Sequence, residues 1–413
     1  MRKQISLAMA AAMALGMAVP AAAEGTPITF FNSKMEIQTQ LEEKLQDDYA
    51  ADDVTVYYSS DTVAAEMAKV YSAKTPYTVA MVDAKDIYSL GVEYGVDLSD
   101  QDWVANTTQA IEIDGKVLGF PVCVEARGLI YNKTAIEEIT GEEFVPENYK
   151  TLDAFKELLD TLKEGGMESP VAIMKEDWSL AAHYLAMFYE EREDVNAYID
   201  ALYAGEADVE GDARFNSLMD TFDVLKENNY AKDAAGAAVR EDSEMYLADG
   251  DVAFMFGGNW DWAVMAEFDP EGEYGIMPVP QNDADEYYTL VGGGSKYLFV
   301  DNTEYTTDEQ REAGKALLNW FANDPEGQDF LVNTCALVPA FSNIELEVAD
   351  PLGQSVKAFA DADMLTPSYN YLPDDHYAKL GQSMQAYLTN DLDRAGLAAD
   401  IVEYWKNTTP VER

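Results

Sequence analysis

The chain has 413 residues, with 27 lysines and arginines against 77 aspartates and glutamates, so its formal net charge is −50. Its length favours two or three domains, and 48% hydrophobic residues are enough for packed cores. A surface this negative repels phosphate backbones and anionic lipids, and two histidines and two cysteines leave little for metal or triad chemistry, so we predict no nucleic-acid partner, no metal and no cofactor.

The first 23 residues have the three parts of a secretory signal peptide. Arg2 and Lys3 precede an apolar run at 7–19, and small residues follow at 21–23. The apolar run is shorter than the roughly 20 residues that a membrane-spanning helix needs. We therefore expect export to the periplasm or the cell exterior, with cleavage after Ala23. No cysteine lies near that position, so we expect no lipid anchor.

Strands and helices alternate along the next part of the chain. The predicted strands are 27–31, 54–58 and 77–82, and the predicted helices are 36–49, 63–71 and 85–90. This alternation is typical of crossover units on a largely parallel sheet, where ligands bind beyond the carboxyl ends of the strands. The loops after the three strands are short and polar, so they suit the rim of a binding crevice.

The rest of the chain continues in the same mixed pattern. Asp114-Gly115 predicts a turn between two strands, and 151–163 and 178–228 are predicted to be helical. We interpret the acidic run at 190–194 as solvated. Further strands are predicted at 252–256, 275–279 and 297–300, and further helices at 307–323, 326–332 and 377–405.

The chain lacks the common nucleotide, hydrolase and zinc-protease motifs, and aromatic residues beside glycines stand out instead. Gly257-Gly258-Asn259-Trp260-Asp261-Trp262 follows a predicted strand directly. A tryptophan there can lie flat on a sugar ring while Asn and Asp take the hydroxyls. We expect at least one of Trp260 and Trp262 in a cleft, the alternative being that both pack in the core. Trp178, directly after Asp177, is a second pairing of a tryptophan with an acid, but it is a less specific indication of a sugar site.

Four segments in a fixed order carry a family resemblance. They are 114–121 with 124–133, 248–260, 274–280 followed by three glycines at 292–294, and 316–330 leading to 337–339. Together they resemble the extracellular solute-binding proteins of ABC importers, in the sugar-binding family that includes maltose-binding protein. The resemblance covers nearly the whole chain after the predicted signal peptide.

The resemblance implies an α/β fold of the two-lobed periplasmic-binding-protein type. Each lobe would be a mainly parallel sheet flanked by helices, with the ligand cleft at a multi-strand hinge. The signal peptide would be 1–23, the first lobe 24–127 plus 290–342, and the second lobe 128–289 plus 343–413. The implied function is capture of a carbohydrate, an oligosaccharide, and its delivery to the permease subunits of an ABC transporter, by a monomer and without catalysis.

Position by position, the resemblance also implies ligand-binding residues, to which we add Arg127 because cations are scarce. The set is Ser33, Lys34, Glu36, Asp83, Asp86, Glu125, Arg127, Asp177, Trp178, Trp260, Tyr371 and His376. Glu125 would take sugar hydroxyls and Trp260 would stack on a ring. For the cleft aromatic of segment 368–377, the candidates are Tyr369, Tyr371, His376 and Tyr377. Met81 replaces an aromatic that some maltose-type binders have, which argues against maltose itself.

Several alternatives stay open from the sequence. Arg127 either pairs with Glu125 or a neighbouring acid, or, like Lys34, clamps a carboxylate or phosphate of the ligand. Cys123 and Cys335 are either a disulfide or two buried thiols. Two alternatives also remain for the function of the whole protein. It could be a secreted carbohydrate-active enzyme, or a binding protein for a cation such as a polyamine. A cleft rich in carboxylates with no stacked tryptophan would favour the polyamine.

Overall fold

The computed structural model describes residues 25–282 and 287–411, so the predicted signal peptide at 1–23 lies outside the described residues. Two six-stranded sheets are each flanked by helices, which confirms the predicted α/β class. The strands are β1 (Pro27–Asn32), β2 (Asp53–Tyr58), β3 (Val79–Asp83), β4 (Ile111–Ile113), β5 (Lys116–Pro121), β6 (Val124–Asn132), β7 (Val171–Ala172), β8 (Phe254–Gly258), β9 (Tyr274–Met277), β10 (Leu290–Gly294), β11 (Lys296–Val300) and β12 (Leu365–Pro367).

The helices alternate with these strands along the chain. The α-helices are α1 (Gln38–Leu41), α2 (Val63–Ala73), α3 (Ala84–Asp86), α4 (Val92–Tyr94), α5 (Lys133–Thr140), α6 (Leu152–Glu164), α7 (Met187–Glu190), α8 (Val195–Ala204), α9 (Ala213–Glu227), α10 (Arg240–Ala248), α11 (Trp262–Met265), α12 (Asp308–Asn323), α13 (Pro325–Asp329), α14 (Pro351–Asp361), α15 (His376–Leu388) and α16 (Arg394–Asn407). The π-helical segments are Glu42–Asp48, Ile87–Gly91, Trp178–Leu185 and Phe330–Thr334. The 3₁₀ turns are Met35–Ile37, Asp102–Asn106, Pro146–Tyr149, Lys232–Ala237, Asn259–Asp261 and Ala266–Phe268.

Both sheets are mixed rather than mainly parallel, which corrects that detail of the predicted fold. The first sheet has the order β2-β1-β3-β11-β5-β4, with parallel pairs only around β1. The second is built around β6, which pairs antiparallel with β8, β9 and β10. Strand β11, which returns from the second sheet, pairs antiparallel with β3 and β5, whereas β12 pairs parallel with β10.

The chain passes between the two sheets at three places. β5 ends at Pro121 in the first sheet, and β6 begins at Val124 in the second. β10 of the second sheet is separated from β11 of the first by Ser295 alone. The third passage lies between Phe341, which packs on Trp103 and Phe120, and α14, whose Ser355 hydroxyl accepts a hydrogen bond from Ile276. The two lobes are therefore joined by three connections, of which the first two are only one or two residues long.

Several local predictions are confirmed with adjusted bounds. Thr151 caps α6, whose buried stripe of leucines and Phe155 faces the core of the second sheet. Asp114 and Gly115 have positive φ angles of 53° and 76°, as a two-residue turn between β4 and β5 requires. The helix predicted at 36–49 is instead a 3₁₀ turn, α1 and a π-helical segment in succession.

The acidic run at 190–194 is not wholly solvated, which corrects that interpretation. Glu190 and Glu191 are buried, because each pairs with a buried arginine: Arg127 for the first and Arg214 for the second. Cys123 and Cys335 are both buried free thiols, so the structure has no disulfide between them. None of the helices in the two described ranges is long and apolar enough to cross a membrane.

Candidate ligand-binding site

A cavity of about 440 Å³ lies between the two sheets, beside the connections that join them; we call it the central cavity. Loops after strands of the first sheet and turns of the second sheet both contribute to its walls. Six of the twelve predicted site residues line it: Glu36, Asp83, Glu125, Arg127, Trp178 and Trp260. The volume and the mixed aromatic and charged lining are typical of sites for small molecules.

Lys34, Ser33 and Asp177 support the central cavity from behind its walls. The Lys34 ammonium lies 3.0 Å from Glu36 Oε1 and 2.6 Å from Glu125 Oε1. The Ser33 hydroxyl lies 3.5 Å from Lys296 Nζ. Asp177 accepts a hydrogen bond from the backbone N–H of Trp178 at 2.8 Å, which begins the π-helical segment that carries Trp178. These three residues hold groups that line the cavity rather than lining it themselves.

The structure does not bring the other three predicted residues to the central cavity. Asp86 and Tyr371 line a separate cavity nearby. His376 is only 1% exposed and packs among Tyr189, Tyr404 and Trp405 in the core. Of the aromatic candidates in segment 368–377, Tyr369 is the one that lines the central cavity.

The charged wall of the cavity is a set of paired ions. Burial opposes ionisation of Glu125, yet the ammonium groups of Lys34 and Lys296 outweigh it and hold the pKa of Glu125 below its ordinary value. Burial likewise disfavours charge on Lys34, but Glu125 raises its pKa above the ordinary range. Lys296 Nζ lies 2.5 Å from Asp83 Oδ1. These carboxylates are therefore ionised and fixed in place at neutral pH.

Arg127 pairs with an acid, as one interpretation held, but the acid is Glu190 and not Glu125. Its Nε donates to the carbonyl of His183 at 3.1 Å, and its Nη1 donates to the Ser368 hydroxyl at 3.1 Å. The second oxygen of Glu190 accepts the backbone N–H of Tyr369 at 2.9 Å. Burial raises the pKa of Glu190, and the Arg127 guanidinium offsets part of that rise. Arg127 thus ties β6 to two other walls of the cavity.

The aromatic wall consists of Trp178, His183 and Trp260. The His183 ring centroid lies 5.1 Å from that of Trp178 and 5.0 Å from that of Trp260. Burial and the positive charges of Arg127 and Arg240 lower the pKa of His183 well below 6.5, so its imidazole is neutral. Trp262, the other tryptophan of that run, packs against Tyr274 instead.

The turn that presents Trp260 follows β8 directly. The Asp261 carboxylate accepts the backbone N–H of Gly258 at 2.8 Å, and the Asn259 side chain accepts the N–H of Ala126 on β6 at 3.0 Å. A Cβ at Gly258 would lie 2.3 Å from the Trp260 ring. Glycine at this position is therefore what allows the indole to fold back beside the strand end.

Lys296, His183, Glu190 and Ser368 also line the cavity and were missed from the sequence. The scarcity of cations, which singled out Arg127, applies equally to Lys296 just after the glycines at 292–294. Glu190 was not predicted as a site residue because it belongs to an acidic run, which we interpreted as solvated. His183 and Ser368 gave no signal, since nothing in their neighbourhood distinguishes them from core or loop residues.

The charges at the site are balanced although the chain is strongly acidic. The acids that line the cavity are Glu36, Asp83, Glu125 and Glu190, and the cations that line it are Lys85, Arg127 and Lys296, with Lys34 directly behind. Four acids thus face four cations. The site presents fixed donors and acceptors rather than a negative field.

Two α/β lobes that enclose a polar and aromatic cavity at their connections define a two-lobed binding protein. The chain belongs to the family of bacterial extracellular solute-binding proteins, whose match covers residues 18–361. This confirms the family resemblance. No curated protein matches the chain.

Solved structures with similar folds cover nearly the whole chain. The apo form of RafE from Streptococcus pneumoniae has 18% identity and a TM-score of 0.71 over 92% of this chain and 97% of that chain. A sugar transporter from Bacillus licheniformis in complex with stachyose has 19% identity and a TM-score of 0.70 over 92% of this chain and 99% of that one. The cyclic alpha-maltosyl-1,6-maltose binding protein from Arthrobacter globiformis has 15% identity and a TM-score of 0.67 over 93% and 98%. These similarities confirm the predicted two-lobed fold.

Proposed function

We propose that the protein is the carbohydrate-binding component of an ABC importer, which takes an oligosaccharide into the central cavity and delivers it to permease subunits. The observation that carries the proposal is the combination of Trp178, His183 and Trp260 with paired ions in one cavity between the lobes. A sugar ring has an apolar face that suits an aromatic wall, and hydroxyls that suit fixed carboxylates and ammonium groups.

We propose Glu36, Asp83, Glu125, Trp178 and Trp260 as ligand contacts. Because a bound ligand would touch both lobes, it would favour the closed arrangement, and the permease would then meet a closed, loaded protein. The stachyose complex and the maltose-type binder of the same fold are in keeping with a carbohydrate in this cavity.

Arg127 would position the site rather than clamp an anionic ligand. Its Nε, Nη1 and Nη2 atoms each donate to a protein acceptor already: the His183 carbonyl, Ser368 and Glu190. Three of its five N–H groups are thereby used, and the Glu190 carboxylate already compensates its charge, so a ligand carboxylate would meet no unpaired cation here. The arrangement therefore favours a neutral sugar over a uronic acid.

The polyamine alternative and the enzyme alternative have less support. Four acids balanced by four cations, together with two tryptophans, are the opposite of an acidic, aromatic-free cleft. Burial raises the pKa of Glu190, but its oxygens are already occupied, because one pairs with Arg127 and the other accepts a backbone N–H. We propose that the protein binds its sugar without chemical change.

We further propose that the chain is exported, that cleavage follows Ala23, and that the mature protein acts as a monomer without a lipid anchor. Membership of an extracellular family supports the export. The three passages between the sheets support two lobes, but β6 and β10 both belong to the second sheet. We therefore propose that the predicted lobes, 24–127 plus 290–342 and 128–289 plus 343–413, change over near 122 and 295 rather than at 127 and 290.

A thermal-shift screen tests the proposal. The panel contains neutral mono- and oligosaccharides, uronic acids and spermidine, and a ligand that binds the native state raises the melting temperature. We expect a rise with one class of neutral oligosaccharide and recovery of that sugar unchanged after overnight incubation. A rise with spermidine alone would support a polyamine binder, and shorter products by chromatography would support an enzyme. Either result would overturn the proposal.

A further inference from the structure

Helix α10 lies behind the aromatic wall of the central cavity and carries a buried acid that the proposed function does not use. This acid, Glu244, is 2% exposed and lies one helical turn after Arg240, so the two side chains share a face of the helix. That face meets buried Asp261, whose carboxylate accepts hydrogen bonds from Arg240 and from the Glu244 carboxyl group. We call Arg240, Glu244 and Asp261 the α10 cluster.

The α10 cluster is connected to both tryptophans of the aromatic wall. The Arg240 guanidinium lies 4.4 Å from the centre of the Trp178 ring. Asp261 directly follows Trp260 in the chain, and its second oxygen accepts the backbone N–H of Gly258 at 2.8 Å, which closes the turn after β8. The ion pair between Arg240 and Asp261 therefore fixes Trp178 and Trp260 relative to each other.

The α10 cluster has two carboxyl groups and one cation. The Arg240 guanidinium compensates the charge of Asp261, so an ionised Glu244 would add a second negative charge in a buried place. A protonated Glu244 instead donates a hydrogen bond to Asp261. Burial and the Asp261 carboxylate accordingly raise the pKa of Glu244 from 4.5 to about 9, so this side chain is neutral at pH 7.

Other titratable groups also face the α10 cluster. Glu241 of the same helix brings a further negative charge, which favours the proton on the buried acid. Glu176 Oε1 accepts the backbone N–H of Arg240 at 3.1 Å. The His183 imidazole, on the side of the wall, is neutral, and Glu267 in the turn that packs on α10 is exposed. The surroundings therefore add acids rather than a second cation.

We propose that Glu244 is a positioning residue of the ligand site, whose proton allows Asp261 and Arg240 to keep the two tryptophans in place. This inference rests on the proposed function and adds the regulation of the site by pH. In alkaline solution an ionised Glu244 would repel Asp261 and compete with it for Arg240. The turn of Trp260 and the guanidinium above Trp178 would then lose their fixed positions.

Acrylamide quenching of tryptophan fluorescence tests the inference without a ligand. In wild-type protein the quenching constant should rise between pH 7 and pH 10, because the tryptophans of the wall become more accessible once Glu244 is ionised. Glu244→Gln keeps a hydrogen-bond donor but has no such proton to lose, so its quenching constant should stay at the value for pH 7. Glu241→Gln makes the same change at an exposed acid of the same helix and should follow the wild-type profile.

Calorimetry at the same two pH values connects the α10 cluster to binding. The probes are maltotetraose, xylotetraose, chitotetraose and stachyose. For a probe that binds, wild-type affinity should fall about tenfold from pH 7 to pH 10, because only about one tenth of the molecules then keep the proton. The affinity of Glu244→Gln should change by less than about twofold, and Glu241→Gln should again match wild-type protein.

The outcomes separate this inference from the function on which it rests. If no probe binds at either pH, the proposed function fails, and the quenching experiment still shows whether the proton keeps the tryptophans in place. If wild-type quenching does not change with pH, or changes equally in Glu244→Gln, the role of Glu244 is overturned whether or not a sugar binds. Circular dichroism shows that each variant is folded, and Glu244→Met, which also cannot ionise, replaces Glu244→Gln if that variant is not.

Discussion

The two tryptophans of the central cavity are held differently. Trp178 has the Arg240 guanidinium 4.4 Å above its ring, and Arg240 is itself fixed by Asp261 and Ser179. Trp260 contacts His183, and its buried indole N–H has no hydrogen-bond partner among the residues that the structure describes. The Trp260 ring lines the central cavity, whereas the face of Trp178 is already shared with a cation. Trp260 is therefore the residue whose loss should weaken binding most.

Replacing Trp260 by alanine should cost about 2 kcal/mol of binding free energy, because a central aromatic anchor would be lost. Calorimetry with the sugar found in the thermal-shift screen measures this loss. Trp320→Ala is the matched control, since Trp320 is half-buried among Tyr49 and Phe330 outside the central cavity. Wild-type affinity in Trp260→Ala would show that the indole does not stack on the ligand.

His376 is a core residue, and burial lowers its pKa from 6.5 to about 3. Below pH 6.5 the unfolded chain binds a proton at this residue that the folded protein excludes, so its contribution destabilises the fold as pH falls from 6.5 towards 3. From pH 7 to pH 5, wild-type protein should lose about 2 kcal/mol more unfolding free energy than His376→Phe. Urea denaturation at both pH values measures the difference.

Tyr377→Phe provides the control for that experiment, because its side chain is exposed next to His376. It should retain the wild-type dependence on pH. An identical pH dependence in His376→Phe and wild-type protein would contradict the assignment of a neutral, buried imidazole.

Strand β6 is the element on which the site and the hinge depend. It begins next to β5, carries Glu125 and Arg127 at the cavity, and then enters the middle of the second sheet. Ala126 and Arg127 pair with β10, and Arg127 and Gly128 pair with the end of β8. Since consecutive side chains of a strand point to opposite faces, Glu125 and Arg127 project to the same side.

Gly128 lies where β6 is crowded by its neighbours. A Cβ on Gly128 would lie 2.2 Å from the Met277 carbonyl oxygen of β9, a backbone atom that cannot rotate away. Gly128→Ala should therefore lower the unfolding free energy by about 1–3 kcal/mol. Gly236→Ala is the control, because the nearest atom to its added Cβ would be 3.5 Å away. Equal denaturation midpoints for the two variants would contradict the crowding at β6.

At the scale of the whole molecule, the net charge of −50 and the balanced cavity are separate features. Most of the acids outside the cavity lie beside solvent, where salt screens them, although a few such as Glu191 and Asp301 are buried. The ligand would instead contact carboxylates and ammonium groups that are already paired with each other at short distance. The overall charge is therefore a poor guide to what the protein binds.

This separation predicts how binding depends on salt. If the ligand is a neutral sugar, its affinity should change by less than about twofold between about 0.05 M and about 0.5 M NaCl, because no net charge is neutralised on binding. Calorimetry at the two concentrations measures it, with spermidine as the comparison. A steep loss of sugar affinity with salt would show that a charged group of the ligand is recognised.

Much of the fold was predictable because it depends on local patterns. The stripe of leucines in 151–163 gives α6, and Asp114-Gly115 gives the turn between β4 and β5. The four segments in their fixed order were enough to identify the family. The parallel or antiparallel sense of the strands was not predictable in the same way, because it depends on how the chain returns from the other lobe.

The site was predictable only where a residue type is rare or conspicuous. Trp260 and Arg127 met that condition, and both line the central cavity. The sequence indicated a solvated acid at Glu190 and a cleft residue at His376, but the structure buries both side chains. A buried arginine brings Glu190 inside, and an aromatic core encloses His376. Both outcomes depend on partners more than 25 residues away along the chain, which a local pattern does not contain.

By itself, the amino-acid sequence determined that the chain alternates strands and helices and that it belongs with two-lobed solute-binding proteins. It also indicated that a tryptophan after a strand end lines a cleft. The tertiary structure alone decided which acids meet which cations. It paired Arg127 with Glu190 rather than Glu125, and Lys296 with Asp83. The physical reason is that the side chains of a strand alternate between its two faces, which is a local property of the sequence. The free energy of a buried ion depends instead on the partner that folding brings to it.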